Sequence, residues 1–315
     1  MAAQLLSVVL PTRNRSDWLR RAAASVLSQD VEHLELIIVD DASTDQTEAV
    51  TEQLDDDPRV RVVHNPEPLG PGGSRNRGIA EAGGELLGFC DDDDAWLPGA
   101  AATVLDEFDR DPDVGVVTSW HQVVHDPTGH TAIYRGPLHY GADQLLWYNL
   151  VALPFGVIRR AGIPDEDVSV DAELPSCEDW DLWLRCARSR PIRTLPRVLY
   201  AYHQHSRERV TREGSSDRVG RQRFLDKHAD AMTPACRTYH ELAVAQLTGG
   251  RAAVRTELAA HLRTPLTAMT AATVLAAGAA AGALGRRRHD PGLAARMMAR
   301  ILQDRGPRAR VAGTR

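Results

Sequence analysis

Cysteine is scarce in this sequence, and the few cysteines are not spaced as metal or disulfide motifs. The 315 residues contain four of them, and no two form a CxxC pair. A disulfide-stabilised fold of this length would need more, so we expect a reducing compartment and no zinc site. The N-terminus also lacks the basic stretch and cleavage site of a secretory signal peptide, which favours a cytoplasmic location.

Positive charge is depleted in most of the chain and concentrated at its end. The formal net charge is −6, but residues 286–315 contain nine arginines and two aspartates, so this segment carries +7 and the rest −13. An acidic body without a recognition motif argues against nucleic acid as a partner. The basic end is typical of a segment that binds an acidic membrane surface or stays solvated.

Strand and helix patterns alternate in the first half of the chain. Apolar runs of strand length recur at 7–10, 36–39, 60–63 and 85–89. Amphipathic segments of helical period lie between them, and Pro11 is expected to end the first strand. This alternation predicts an α/β fold with a mainly parallel sheet covered by helices. Ligands bind such sheets at the carboxyl ends of the strands, where polar residues follow at 11–14, 40–41 and 91–94.

Four consecutive aspartates, at 91–94, directly follow the fourth apolar run. Carboxylates this close raise one another's pKa unless a cation offsets their repulsion. Mg²⁺ and Mn²⁺ prefer oxygen ligands that are shared between carboxylates and substrate phosphates. The run therefore indicates a divalent metal site, and the alternative is a solvated acidic loop before a helix.

The second half of the chain is less regular. Between 120 and 162 no period is evident, and we expect loops. Ser176 then precedes Glu178 and Asp179 with the spacing of a helix cap, which places both acids in a first helical turn. From about residue 221 the pattern is helical and alanine-rich. Its uncharged stretch 264–285 is of membrane-spanning length but only weakly apolar, which favours a packed hairpin or a surface helix.

Four segments in order resemble the family 2 glycosyltransferases, which are inverting enzymes of the GT-A fold. They read VVLPTRNRSDWLRRAAASVLSQD, LELIIVDDASTDQT, GPGGSRNRGIAEAGGELLGFCDDDDAWLPG and CEDWDLWLR. The resemblance covers residues 5 to about 210. It implies a GT-A domain at 1–225, with a mainly parallel central sheet flanked by helices, and a helical C-terminal extension at 226–315.

The resemblance also implies which residues bind a nucleotide-sugar donor. Asp41 would accept a hydrogen bond from the nucleobase, in a pocket formed by Pro11, Thr12 and Asn14. Arg75 would face the diphosphate or the base. The alternatives are an acidic neighbour of a helix for Asp41 and a surface arginine for Arg75.

For the metal and the chemistry, the resemblance implies a second group. The family's DxD motif corresponds to Asp91 and Asp93 as ligands of Mn²⁺ or Mg²⁺, with Asp92 open as a second candidate because all four positions are aspartate. His205 follows a late strand, where relatives often have a histidine, and is a further metal-ligand candidate. Asp179, paired with Glu178, would deprotonate the acceptor hydroxyl. The alternative is that this acidic pair only caps a helix.

The predicted function is transfer of a sugar from a UDP-, GDP- or dTDP-sugar to a hydroxyl of a glycan, lipid-linked or small-molecule acceptor. Two alternatives are a catalytically degenerate GT-A binding scaffold and a sugar-nucleotide pyrophosphorylase. The latter requires a glycine-rich loop after the first strand, which 11–15 does not contain. The C-terminal helices are expected to provide a homodimer contact or a peripheral contact with the inner face of the membrane.

Overall fold

The computed structural model describes residues 4–125, 128–149, 151, 153–205 and 214–261. Within them the strands are β1 Leu6–Thr12, β2 Leu34–Asp40, β3 Val60–His64, β4 Leu86–Phe89, β5 Ala95–Trp96, β6 Val116–His125, β7 His130–Tyr134, β8 His139–Tyr140, β9 Gly156–Arg159 and β10 Ile192–Gln204. The α-helices are α1 Ser16–Leu27, α2 Thr47–Leu54, α3 Gly70–Glu81, α4 Ala100–Arg110, α5 Ala142–Leu145, α6 Asp165–Val168, α7 Glu178–Ser189, α8 Gly214–His228 and α9 Pro234–His261.

The strands form one large sheet in the order β3-β2-β1-β4-β9-β6-β10-β5, with β7 on β6 and β8 on β10. The four N-terminal strands of this order are parallel. Strand β9 is antiparallel to both of its neighbours, and β10 is parallel to β6. The predicted α/β fold is confirmed, and the parallel arrangement holds in the half of the sheet that the first strands form.

Alternate residues of β1 pack against opposite faces of the sheet. Val8 and Leu10 belong to the core that includes Leu19 of α1, whereas Val9 belongs to a second core. Helix α3 approaches β1 so closely that a Cβ atom on Gly78 would lie 2.4 Å from a methyl carbon of Val9. Glycine is therefore required there, and the close packing holds α3 against the face of the sheet.

The prediction that Pro11 ends the first strand is wrong by one residue. Strand β1 continues to Thr12 and keeps its parallel register with β2. Its pairing with β4, however, ends at Val9. Pro11 therefore lies at a position with a strand on only one side, where the missing N–H costs no ladder hydrogen bond.

The predicted cap at Ser176 is not formed, and Ser43 does not cap α2. The Ser43 hydroxyl accepts a hydrogen bond from the backbone N–H of Asn14 at 2.9 Å. The Ser176 hydroxyl donates to the carbonyl of Ser216 at 3.2 Å, and Cys177 occupies the position before α7. In both cases the hydroxyl joins two segments that are distant in sequence, a tertiary contact that local spacing does not reveal.

The stretch expected to be loops contains strands. Strand β6 runs to His125 and forms an antiparallel pair with β7, and β9 inserts between β4 and β6. The His121 ring of β6 stacks on Tyr134 of β7, with ring centroids 4.8 Å apart. The outer parts of these strands are only partly buried and carry mixed polar and aromatic side chains, so they show no simple period.

Helices α8 and α9 pack against α7. The Phe224 ring of α8 stacks on Trp180 of α7 at 4.3 Å between centroids. The buried carboxylate of Asp181 binds His228 at 2.8 Å and Lys227 at 3.0 Å. The predicted boundary between 225 and 226 falls inside α8, and the division into two domains stays a prediction.

The predicted segments 264–285 and 286–315 lie outside the described residues. Among the helices that the structure does describe, none has the length and apolarity needed to cross a membrane.

Candidate active site

A cavity of about 770 Å³ lies at the carboxyl ends of β1, β2 and β4, opposite the start of α7. Most of the predicted site residues line it, although they come from five separate segments. They are Pro11, Thr12, Asp41, Arg75, Asp91, Asp92, Asp93, Glu178 and Asp179. Asn14 and His205 flank this set without lining the cavity wall.

Left-handed backbone conformations occur at three non-glycine residues close to this cavity. Among the described residues they are Asn14 after β1, Ala42 after β2 and Cys177 before α7, with φ between 53° and 66°. Such conformations are costly and persist where the surrounding structure requires them. The Asn14 side chain is engaged locally, because its carbonyl oxygen accepts the backbone N–H of Thr44 at 2.7 Å.

Asp41 is held by the segment that leads into α3. One carboxylate oxygen accepts hydrogen bonds from Asn65 at 2.8 Å and from the backbone N–H of Leu69 at 2.7 Å, and the other accepts the N–H of Gly70 at 3.0 Å. Burial opposes ionisation, but these hydrogen bonds outweigh it and lower the pKa of Asp41. Gly70 has a φ of 74°, which favours glycine. Asp41 thus fixes the entry to α3, and its role toward a nucleobase stays a prediction.

Three of the four consecutive aspartates converge. Oxygen atoms of Asp91, Asp93 and Asp94 lie within 4.8 Å of one another. Three convergent carboxylates are the ligand type that Mg²⁺ and Mn²⁺ prefer, so the residues fit such an ion. Asp94 was not among the residues predicted from the sequence, because the run of identical side chains does not show which of them converge.

The Asp92 carboxylate has other partners than this group of three aspartates. Its carboxylate accepts the Thr12 hydroxyl at 2.9 Å and Arg15 at 2.9 Å. Burial raises the pKa of Asp92 to about 6, Arg15 opposes the shift, and Asp93 adds to it. Arg15 also binds Asp93 at 3.0 Å. Arg15 was not among the residues predicted for the site, although its position after β1 places a guanidinium at the same edge of the sheet.

His205 is buried against the same acidic cluster. Its Nε2 atom lies 2.7 Å from an oxygen of Asp93, and its ring packs on Trp18 with centroids 4.9 Å apart. The geometry places this histidine next to a candidate metal ligand. Its own role as a ligand stays a prediction.

Arg75 connects the two sides of the cavity. Its side chain is 6% exposed, and its guanidinium binds Asp91 at 2.6 Å and lies 3.7 Å from Glu178. The alternative of a surface arginine is therefore wrong. A single buried guanidinium spans the distance between the aspartate cluster after β4 and the acidic pair at the start of α7.

Asp179 lies in the first turn of α7, as predicted. Its carboxylate accepts hydrogen bonds from Asn149 at 2.9 Å and from the backbone N–H of Trp180 at 2.7 Å. Burial, reinforced by the neighbouring Glu178 carboxylate, raises the pKa of Asp179 to about 7. The stabilising effect of the helix N-terminus is outweighed, so Asp179 is a base of near-neutral strength.

The C-terminal helices contribute side chains that the sequence did not indicate. Asp217 and Arg221 of α8 and Leu247 of α9 line the cavity on the side of α7. No motif marks them, since they reach the site only because α8 packs on α7. The complete arrangement can hold a polyphosphate with a divalent ion on one side and remove a proton on the other.

A family model described as "Glycosyl transferase family 2" matches residues 7–156. A glucosyltransferase from Campylobacter jejuni, named for the acceptor GalNAc(5)-diNAcBac-PP-undecaprenol, is 42% identical over 102 residues. That match covers 32% of this chain, and the chain spans only 33% of the length of this curated relative. The residues that the family model matches contain the ends of β1, β2 and β4.

Two solved structures share the fold. The 1–349 segment of TarS from S. aureus, in complex with UDP-GlcNAc, has a TM-score of 0.60 at 19% identity, over 80% of this chain and 89% of that segment. A mannosyltransferase from Pyrobaculum calidifontis, in complex with GDP-Man and Mn²⁺, has a TM-score of 0.52 at 19% identity, over 95% of this chain and 80% of its own. These similarities confirm the predicted fold, including the C-terminal helices.

Proposed function

We propose that this chain, which belongs to glycosyltransferase family 2, transfers a sugar from a nucleotide-sugar donor to an acceptor hydroxyl. The transfer inverts the configuration at the anomeric carbon. The observation that carries this proposal is the span of Arg75, which touches Asp91 and approaches Glu178 across the cavity. A group held at the aspartates is thereby adjacent to the acids of α7. Direct displacement requires this proximity of a bound donor and a base.

Asp91, Asp93 and Asp94 would hold a divalent ion, Mn²⁺ or Mg²⁺. When bound, such an ion neutralises charge on a leaving diphosphate. The protein's own contribution on this side is positional, since Thr12 and Arg15 fix Asp92 and Arg15 also fixes Asp93. Asp41, with Pro11, Thr12 and Asn14 nearby, would form the end of the site that receives the nucleobase.

Asp179 would act on the acceptor. Its carboxylate takes the proton of the acceptor hydroxyl while the acceptor oxygen bonds to the anomeric carbon and the bond from that carbon to the diphosphate breaks. With a pKa of about 7, roughly half of the Asp179 side chains are ionised at neutral pH, and the carboxylate is more basic than an ordinary one. Asn149 holds one carboxylate oxygen, which orients the base.

Two other functions are less well supported. A pyrophosphorylase needs a loop that wraps a triphosphate after β1, and residues 13–15 are Arg, Asn and Arg, without glycine. A degenerate scaffold would have lost the metal or base carboxylates, whereas Asp91, Asp93 and Asp179 are present and line one cavity.

The acceptor and the location are further parts of the proposal. The Campylobacter relative is named for a lipid-linked acceptor, which supports a lipid-linked or other glycan acceptor for this chain. We place the protein in the cytoplasm, with residues 286–315, whose net charge is +7, in contact with the inner face of the membrane or with a second copy. Salt-sensitive liposome binding would indicate the membrane, and a dimer in sedimentation would indicate the second copy.

The test is a panel of nucleotide sugars. The full chain should show a higher melting temperature with one donor in the presence of Mn²⁺ than with either alone, because a ligand that binds the folded state stabilises it. The same donor should then label a glycan acceptor, as followed by chromatography. Stabilisation without transfer to any acceptor, and without donor hydrolysis, would support the scaffold instead.

A further inference from the structure

Arg221 of α8 lines the cavity together with Arg13, Arg15 and Arg75. Arg15 and Arg75 each bind carboxylates of the aspartate run. Arg221, by contrast, is half-buried at the cavity wall and forms no ion pair with any carboxylate among the residues that the structure describes. A guanidinium that is partly removed from water without a counter-charge is suited to bind an anionic ligand.

Two aromatic rings hold the Arg221 guanidinium. Its central carbon lies 5.3 Å from the ring centroid of Trp180 and 5.1 Å from that of Tyr239. Cation–π contacts of this kind orient the planar group and compensate part of its burial. They provide no hydrogen-bond acceptor for its N–H groups. Asp217, one turn earlier on α8, also lines the cavity but forms no ion pair with Arg221.

The position of α8 is fixed relative to the catalytic helix. His228 and Lys227 bind the buried Asp181 of α7. In the middle of α8, a Cβ on Gly220 would lie 2.3 Å from the Ser176 hydroxyl oxygen, so the helix touches the residues that precede α7. Arg221 is therefore a preorganised cation near Cys177–Asp179, away from the aspartate run.

We propose that Arg221 binds an oxyanion group of the acceptor, a phosphate or a carboxylate, and thus selects an anionic acceptor. The inference rests on the proposed function, since it assigns the acceptor side of the same cavity. The planar guanidinium offers a positive charge and N–H donors in a fixed geometry, which matches the oxygens of a phosphate or a carboxylate. The aspartate run repels the same group, which separates it from the donor's metal-bound diphosphate.

The experiment measures binding, so that it does not depend on turnover. The full chain, saturated with UDP or GDP and Mn²⁺ to fill the donor side, is titrated with glucose 1-phosphate, glucuronate and methyl glucoside while tryptophan fluorescence is followed. At least one anionic sugar should bind about tenfold or more tightly than methyl glucoside, the scale of one charge-assisted hydrogen-bonded contact. Comparison of the two anions identifies phosphate or carboxylate as the source.

Variants assign the effect to Arg221. Arg221→Gln should lose the preference for the anionic sugar, and Arg221→Lys should keep a reduced preference, because lysine retains the charge without the planar fork. Arg218→Gln removes an exposed charge from the same helix and should behave like the wild type. The nucleotide dissociation constant should change less than about twofold in both Arg221 variants, against tenfold for the anionic sugar.

Three outcomes would overturn the proposal. The three sugars could bind equally to the wild type, Arg221→Gln could keep the preference, or the Arg221 variants could weaken nucleotide binding as much as sugar binding, which would assign Arg221 to the donor. If Arg221→Gln does not fold, Arg221→Lys decides alone. Failure of any nucleotide to bind contradicts the proposed function, whereas the titration of the sugars still tests Arg221.

Discussion

The half of the cavity at the ends of β1, β2 and β4 differs from the half formed by α7, α8 and α9 in how its charges are paired. On the donor side, Arg15 and Arg75 bind Asp91, Asp92 and Asp93. On the acceptor side, Asp179 has a raised pKa, and Arg221 forms no ion pair with a carboxylate of the described residues. The donor side is thus held together by ion pairs, whereas the acceptor side keeps a carboxyl of raised pKa and a cation without a counter-charge.

The largest expected effect comes from breaking the donor side. Asp93→Asn removes an oxygen ligand without a change of shape, and kcat should fall on the order of 10³-fold, because metal stabilisation of a leaving diphosphate is worth several kcal/mol. Excess EDTA should have a similar effect on the wild type. The exposed Asp56→Asn is the matched control and should retain activity. Full wild-type transfer in EDTA would contradict the metal site.

The next effect separates chemistry from binding on the acceptor side. Asp179→Asn should lower kcat by about 100-fold or more, the scale of general-base catalysis. The nucleotide dissociation constant should stay nearly constant, because Asp179 does not belong to the aspartate cluster. Steady-state kinetics and calorimetry of nucleotide binding measure the two quantities. Weakened nucleotide binding with an unchanged kcat would place Asp179 on the donor side.

The pH dependence follows from the raised pKa of Asp179. The base must be ionised, so kcat should fall about tenfold per pH unit below about 7 and level off above it. A carboxyl with a higher pKa in the folded than in the unfolded state contributes stability at low pH that is lost as the pH rises through the folded value. Asp179→Asn should therefore raise the melting temperature more at pH 8 than at pH 4. An equal change in melting temperature at the two pH values would show that the pKa of Asp179 is not raised in the folded protein.

The smallest effect tests the anchoring of α8. His228→Ala removes one hydrogen bond to the buried Asp181, and the free energy of unfolding in urea should fall by roughly 1–2 kcal/mol. Because α8 carries Arg221, loosening this helix should weaken binding of the anionic sugar. Binding of the nucleotide should not change. His33→Ala, at an exposed position, is the control. Equal losses on both sides would show that the two halves are not independent.

The donor side could be predicted from the sequence because its residues follow strands directly. Pro11, Thr12, Asp41 and Asp91 each stand at or just past a strand end, and the ends of parallel strands meet at one edge. Asp94 could not be chosen within a run of identical residues, since only side-chain direction separates it from Asp92.

The acceptor side could not be predicted in the same way. Asp179 was found through a local motif, but Asn149 and Arg221 reach the same side of the cavity from segments 30 residues earlier and 42 later in the sequence. The position of Arg221 depends on the packing of Phe224 on Trp180 and on the buried contacts of Asp181. Local propensity and periodicity carry no information about such long-range contacts.

The most direct test of the account is the anomeric configuration of the product. A donor held by the aspartates and an acceptor activated by Asp179 react in one displacement, so an α-linked nucleotide sugar should give a β-linked product. Proton NMR of the purified product, recorded before any spontaneous change, reports the configuration through the coupling of the anomeric proton. Inversion is the predicted result. A product with retained configuration would contradict Asp179 as the base of a single displacement, and with it the division of the cavity into donor and acceptor sides.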